Sequence, residues 1–571
     1  MAVFFNGRLW ITPATMSLVD DSQMYNRNPN VGNVLAILGP AGGGKPFEPV
    51  KFGSYAEAAK LLISGESLKA IEKAFDPSSQ TFGPSKILFI RTNDETQSAL
   101  DLKDDAGNVV INLTSTGFGK INNSIRVMVT NGTRRGKRVY TRIGSVTQNG
   151  NNIARDCLNV QYVGNATSAT VTVTSTKVIL KKGGAIAESF DLVDIATIQE
   201  LSDRINAVDG FVSLVLENSG QLAAINRLDG VTDVSVKTDS PVALTGNLQA
   251  IVDWFNGQGE PLVNAVRADG ALAAPANISY TYLRGASDGL VTMNEWANAF
   301  EALQGEDVQW VCPISSDPAI HAMADSHCAY MSNIARMERR AICGTALGTS
   351  DDAAIKAAKN INSDRTSLVH LGFYDYDSAG KLTLFPPYIL AAQLAGMFSG
   401  VNPGTALSNK TIKIRGLERK LRNPTDTDDL IEGGLLCVED TPKGFKVIKS
   451  ITTWLANDNY NRVEISTGVA LDYVSRAVRE TLDALRGEKG GPQKIAEAIS
   501  RVDSTLRELA RPEPMGIGVI VGDKANPAYR NITASLEGDV LRVEFECSPV
   551  IPINYIPIVI HAVPYSGSAS L

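Results

Sequence analysis

Apolar and polar positions along the chain follow two periods, and the change from one to the other divides it. Val34-Leu-Ala-Ile-Leu38 is an unbroken apolar run of strand length, as expected of a strand covered on both faces. A helix should follow: Ser54 can cap it with Glu57 at the third position, and Ala58, Leu61, Leu62 and Leu68 supply its apolar stripe. Lys86-Ile-Leu-Phe-Ile-Arg91 is a second buried strand, so residues 25–95 read β-α-β. From 96 to 190 the period falls to two. Val109–Leu113, Ser124–Val129, Val139–Ile143, Thr170–Val173 and Val178–Leu180 alternate between Gly and Asn turns, which predicts a small all-β module. Residues 191–275 mix helices (Ile195–Asn206, Leu248–Phe255) with a short strand, Val212–Leu216, and form an α/β module. Both modules read as insertions into a larger domain.

Residues 276–420 return to the core pattern. Val308–Cys312 is a strand, Asp317–Arg340 is helical in period, Ala341–Thr345 and Ser367–Phe373 are strands, and Tyr388–Phe398 is a strongly apolar helix. Residues 421–571 make a carboxy-terminal domain. Thr467 can cap a helix that lines up Leu471, Val474, Val478, Leu482 and Leu485. After Pro492 a second helix lines up Ile495, Ile499, Val502, Leu506 and Leu509. The pair predicts a helical hairpin. In Leu541-Arg-Val-Glu-Phe-Glu-Cys547, Leu541, Val543 and Phe545 alternate with charges, the pattern of a half-buried strand. Ile556–Val563, with Ile558 and Ile560, reads as a strand buried on both faces. Residues 1–24 read as an arm whose Phe4, Phe5, Leu9 and Trp10 flank an Asn-Gly hairpin signal. The expected class is α+β with an α/β core, multidomain, with inserted β-rich modules and arms at both ends.

Length and charge narrow the picture. A chain of 571 residues is too long for one ordinary core and suggests about two to four domains. A net charge of −7 does not call for a large basic face, so nucleic acid is not an expected direct partner. The first residues lack the charge and apolar pattern of a signal peptide. No apolar run approaches the roughly 20 residues of a membrane span, so membrane insertion is not expected either. Six cysteines without a CxxC read as buried free thiols of a reducing compartment, with Cys157 the one to suspect of exposure.

Gly39-Pro-Ala-Gly-Gly-Gly-Lys-Pro46 approaches a phosphate-binding P-loop. Gly39, Gly44 and Lys45 fit, but Pro46 stands where a Mg²⁺-binding hydroxyl is needed. The following Phe47-Glu-Pro-Val-Lys is extended, so no helix start points its N–H groups at a phosphate. His321 and His327 are six apart, about 240° out of phase on a helix, and cannot share one ion. His370 and His561 sit in apolar strands as core histidines. The carboxylate pairs Asp351-Asp352 and Asp428-Asp429 fall in polar stretches that read as loops, and Arg415–Arg422 is a basic cluster without aromatics. No catalytic residues, cofactor or metal are expected, and the chain does not read as an enzyme.

Several stretches together resemble the contractile tail sheath proteins of bacteriophages. Leu283-Arg-Gly-Ala-Ser-Asp-Gly289 resembles the family's L-x-G-G-x-D-G turn, with Ala286 replacing a glycine. Ala406–Gly416, Leu430–Leu436 and Ser450-Ile-Thr-Thr-Trp454 resemble the segments that follow it. Val34–Pro46 resembles the first core strand and its exit, and Gly117–Asn123 the start of the inserted β module. The resemblance implies a homo-oligomer of stacked hexameric rings in the virion tail, assembled in the host cytoplasm. Its partners would be the tail tube, baseplate and tail terminator proteins. It implies arms that add strands to neighbouring subunits, carried here by Phe4, Phe5, Leu9, Trp10, Leu541, Val543, Phe545, Ile558 and Ile560. Arg476, Arg479 and Lys489 become candidate tube- or neighbour-facing charges. A phage-like injection device, a static phage component and, on Gly39–Lys45, a nucleotide-dependent enzyme are the competing readings.

Overall fold

A computed structural model describes residues 34–565 and 567, together with two short strands, Val3–Phe5 and Arg8–Trp10. Its centre is a six-stranded sheet in the order Thr366–Val369, Arg340–Gly344, Trp310–Pro313, Val34–Gly39, Lys86–Arg91, Val50–Phe52. The first five are parallel and the last is antiparallel. Helices cover both faces, which is why the central strands are apolar without alternation. On one face lie Glu66–Phe75 and Pro387–Ser399, the latter buried on every side. On the other lie Met293–Leu303, Pro318–Asn333 and Asp351–Ile361.

The chain leaves this sheet after Arg91 and returns at Met293. The excursion is not two modules in series. Strand Asp156–Tyr162 lies between Phe211–Val215 and Val242–Thr245, and Ala169–Val173 pairs with Val231–Ser235. One core therefore gathers Cys157 to Leu244. A second core joins Leu102–Val139 to Leu248–Leu283. The outer module is thus nested within an inner one. The boundary expected at 190 falls within strand Ala185–Asp191, and the one at 275 falls between two strands of the inner module, because strand pairing joins segments far apart in sequence.

The root of the insertion is clasped. Asn93 Nδ2 donates to Glu95 Oε1 (2.6 Å) and to the carbonyl of Asp288 (2.7 Å), and Asp288 Oδ1 accepts from Lys120 N (2.8 Å). Asn123 exchanges two hydrogen bonds with the backbone of Ala286. Gly289 has φ +65, and a Cβ there would lie 1.7 Å from the carbonyl oxygen of Asp94, so only glycine fits. The Leu283–Gly289 turn is therefore a structural closure.

The carboxy-terminal part carries helices Ile465–Asp483 and Pro492–Leu509 packed as the expected hairpin, then strands Tyr529–Glu537 and Val540–Cys547. Several local expectations change. The helix at 318 stops at Asn333 rather than Arg340, with Arg336 in the left-handed region at φ +61. Ser54 accepts from Glu57 N, but Glu57 caps Gly53 N, one residue earlier than a capping box requires. The first long hairpin helix starts at Ile465, and Thr467 donates to Val550 O instead of capping. Asp351 and Asp352 form the first turn of a helix capped by Ser350, where the helix dipole favours acids, and Asp428 and Asp429 lie in helix Thr425–Glu432. Cys157 is buried. No helix among the described residues is long and apolar enough to cross a membrane.

Candidate assembly surfaces

The glycine-rich loop at 39–46 is filled by the protein itself. Arg91 Nη1 donates to Gly44 O (2.7 Å), its Nη2 donates to Ala41 O, and its Nε donates to Asn93 Oδ1 (2.9 Å). Arg91 also pairs with Glu95, and burial lowers its pKa to about 10. The loop carbonyls thus hold an internal cation, the reverse of a phosphate cradle. Lys45 lies outside, paired with Glu48 at 2.7 Å, and a strand follows where a P-loop needs a helix. The histidines are likewise engaged: His327 Nε2 faces Arg339 Nη1 at 3.0 Å, and His370 faces Asp351 at 3.1 Å. The basic cluster at 415–422 is largely neutralised within the chain by Arg419–Asp351 and Arg422–Asp426. Among the described residues, no group of three or more His, Cys, Asp or Glu is placed to hold a metal.

The open surfaces lie in the carboxy-terminal domain. Among the described residues, strands Tyr529–Glu537 and Val540–Cys547 pair only with each other. Val543, Phe545 and Cys547 pack towards the helical hairpin, with Arg542, Glu544 and Glu546 on the other face, as the alternation predicts. A two-stranded sheet is marginal alone; this one leans on helix Pro492–Leu509. Its two outer edges carry free backbone groups of the kind that template another strand.

A groove of about 1290 Å³ opens between this hairpin and the turn joining the two long helices. Leu482, Leu485, Ile495, Leu541, Val543 and Phe545 supply its apolar lining. Arg476, Arg479 and Lys489 also line it, so six of the residues selected from sequence converge here. Arg476 and Arg479 are tied to their own chain. Arg476 donates to Glu338 Oε2 (3.1 Å) and Asp307 Oδ1 (2.9 Å), and Arg479 Nη2 donates to Glu338 Oε1 (2.5 Å). Glu338 is buried between them. Lys489 is exposed on the helix turn.

Beyond Cys547 the chain is pinned for a few residues and then released. Val550 N donates to Val519 O (3.0 Å), Asn554 Nδ2 donates to Glu464 Oε1 (2.6 Å), and Lys449 lies over the Tyr555 ring. Ile556, Ile558, Val559, Ile560 and Val563 then stand 75–85% exposed in no strand. The expectation of a strand buried on both faces is not met within one chain, and His561 is exposed with it. The sequence is strand-like and apolar, but none of the described residues covers it. At the other end, Val3–Phe5 pairs antiparallel with Arg8–Trp10 in the register Phe5↔Arg8, which places Phe4 opposite Leu9 in the ladder. The rest of the arm expected at 1–24 lies outside the described residues.

Comparison with known proteins gives one consistent answer. The chain is 26% identical to the tail sheath protein of Bacillus phage SP01, over 99% of its length and 98% of that protein's. It is 23% identical to the putative tail sheath protein of Enterococcus phage phiEF24C, over 96% of each. Among solved structures, the sheath tail protein of Desulfitobacterium hafniense shares the fold at a TM-score of 0.56 and 11% identity, covering 94% of this chain and 97% of that one. No family model matches. The chain resembles tail sheath proteins from end to end in sequence, and shares their mixed α+β fold.

Proposed function

We propose that the chain is the subunit of a contractile phage tail sheath and does mechanical rather than catalytic work. The observation that carries this is an exposed apolar terminal segment, together with a two-stranded sheet whose outer edges are unpaired among the described residues, in a chain whose full-length relatives are tail sheath proteins. Ile556–Val563 adds a strand to the sheet of a neighbouring copy, with Ile558 and Ile560 as anchors. Each such aliphatic side chain contributes ~1.5–3 kcal/mol when fully buried. The amino-terminal arm, with Phe4, Phe5, Leu9 and Trp10, makes a second link, and Leu541, Val543 and Phe545 form the receiving surface. Copies joined in this way stack as hexameric rings around a tail tube, between a baseplate and a terminator.

Contraction then needs no nucleotide. Strand-linked bodies rotate between two packings, and the lower-energy one drives the tube through the host envelope for genome delivery. The clasp at the root of the insertion keeps the outer modules rigid with the core during that rotation. Electron microscopy of the purified protein, alone and with its tail tube, tests the reading. Striated tubes or rings are expected; persistent monomers under all conditions would overturn it.

A further inference from the structure

We propose that one sheet of the inserted module binds an acidic carbohydrate chain, a role that does not depend on the sheath reading. The sheet has the order Val146–Ile153, Lys137–Ile143, Arg126–Asn131, Ile278–Tyr282. In a chain with 61 acidic and 54 basic residues, these four strands contain no aspartate or glutamate. Val127, Val129, Val139 and Thr141 point into the module core, so Arg126, Met128, Arg138, Tyr140 and Arg142 line the opposite face. One row across the sheet reads Tyr282, Arg126, Arg142, Thr147, and the next reads Met128, Tyr140, Asn149.

Arg126 and Arg142 therefore stand directly opposite each other, an arrangement of like charges that destabilises a ladder unless an anion offsets it. Among the described residues no carboxylate forms an ion pair with Arg126, Arg138 or Arg142. Arg142 Nε donates to Gly144 O (2.9 Å), and the other two guanidiniums are stacked on rings. Arg126 lies 4.8 Å from the centroid of Tyr280, and Arg138 lies 4.6 Å from that of Tyr140, with the two rings 6.5 Å apart. Arg138 Nε is shielded and has no hydrogen-bond partner. Tyr280 and Tyr282 are 40% and 49% exposed.

This composition matches one class of ligand. A hexose ring offers an apolar C–H face to a tyrosine and hydroxyls to Thr147 and Asn149, while its carboxylate or phosphate takes a guanidinium in a bidentate pair. A nucleic acid, with a phosphate at every nucleotide, calls for a longer basic track. Here the neighbouring cation, Lys137, is already held by Asn131 and Asn277.

The test measures binding of the full chain to polygalacturonate, with dextran and oligo(dT) as comparisons. Salt-sensitive binding to polygalacturonate alone is expected. The double variants Tyr140→Ala/Tyr280→Ala and Arg126→Gln/Arg142→Gln should each weaken it about tenfold. Thermal unfolding of both variants checks the fold, and the arginine pair, freed of repulsion, should unfold no earlier than the parent. Polygalacturonate retained no better than dextran would overturn the proposal, as would tighter binding of oligo(dT). So would loss of self-association in the same variants, which would assign the face to a neighbouring copy.

Discussion

The root of the insertion and the carboxy-terminal domain handle awkward groups in opposite ways. At the root, a charged side chain is buried: Arg91 is 1% exposed, and loop carbonyls, Asn93 and Glu95 surround it. At the carboxy terminus, aliphatic side chains face outward: Ile560 is 85% exposed, and the preceding two-stranded sheet has two unpaired edges among the described residues. The first region has closed its interactions within one chain. The second has, among the described residues, an exposed apolar segment and two unpaired sheet edges, which our proposal reads as strand donor and strand acceptor. On the proposed reading, that difference separates what is rigid in the subunit from what links it to others.

The sharpest way to break the comparison is to remove the donor. Deleting residues from Ile556 onward should abolish polymerisation while leaving the unfolding temperature of the monomer unchanged, because Ile556, Ile558, Val559, Ile560 and Val563 stand 75–85% exposed among the described residues. Sedimentation and electron microscopy would measure the first effect, and calorimetry the second. A truncated chain that still forms tubes would place the linking interaction elsewhere. Arg91→Ala should do the reverse. It strands Glu95 and the carbonyls of Ala41 and Gly44 without their cation, at a cost of ~3–5 kcal/mol. Chemical denaturation would measure this, and the arms of the surviving folded protein should still link copies.

Local patterns made much of this readable in sequence. Val34–Leu38 and Ile87–Ile90 announced buried strands because both their faces are covered. The helical hairpin followed from apolar spacing that packing then used. What was not readable depends on distant partners. Asp156–Tyr162 looks like any short strand, and nothing near it reveals that Phe211–Val215 and Val242–Thr245 flank it, so the nesting of the modules was missed. Ile556–Val563 is apolar enough to require cover, but its sequence does not say which chain supplies it. The P-loop lookalike was rightly doubted from Pro46. That Arg91 fills it could not be inferred, because a charged residue ending a buried strand carries no local sign of its target. The joining of Phe545 to Arg476 and Lys489 in one groove is a tertiary fact of the same kind.

A pH series gives the sheet core, closed within one chain like the root, a signature of its own. Burial first, and the neighbouring Arg339 guanidinium second, lower the pKa of His327 to about 3. His321 and His370 are lowered too, again chiefly by burial. A histidine with a depressed folded pKa is protonated in the unfolded chain first. The stability it supports is therefore complete above pH ~6.5 and is lost as the pH falls towards about 3. At pH ~5 the loss from His327 alone should be ~2 kcal/mol. Denaturation curves of parent and His327→Gln protein across that window should differ in slope, the variant being flatter. Identical slopes would mean that burial of His327 does not shape the pH dependence of the core.

The smallest effect on stability, and the finest test of the open region, is Lys489→Glu. Arg476 and Arg479 are committed to Glu338, so reversing either disturbs the fold and the surface together. Lys489 is exposed at the mouth of the groove, with no ion pair among the described residues, and an exposed charge of this kind changes stability by less than ~0.5 kcal/mol. If the groove domain faces the tail tube or a neighbour, reversal should weaken co-assembly with the tube, most clearly at low salt, where exposed charges act over a longer range. Co-sedimentation of the variant with tube across a salt series would read this. Binding unchanged at every salt concentration would remove Lys489 from the assembly surface, leaving Leu541, Val543 and Phe545 as the part of the groove that meets another chain.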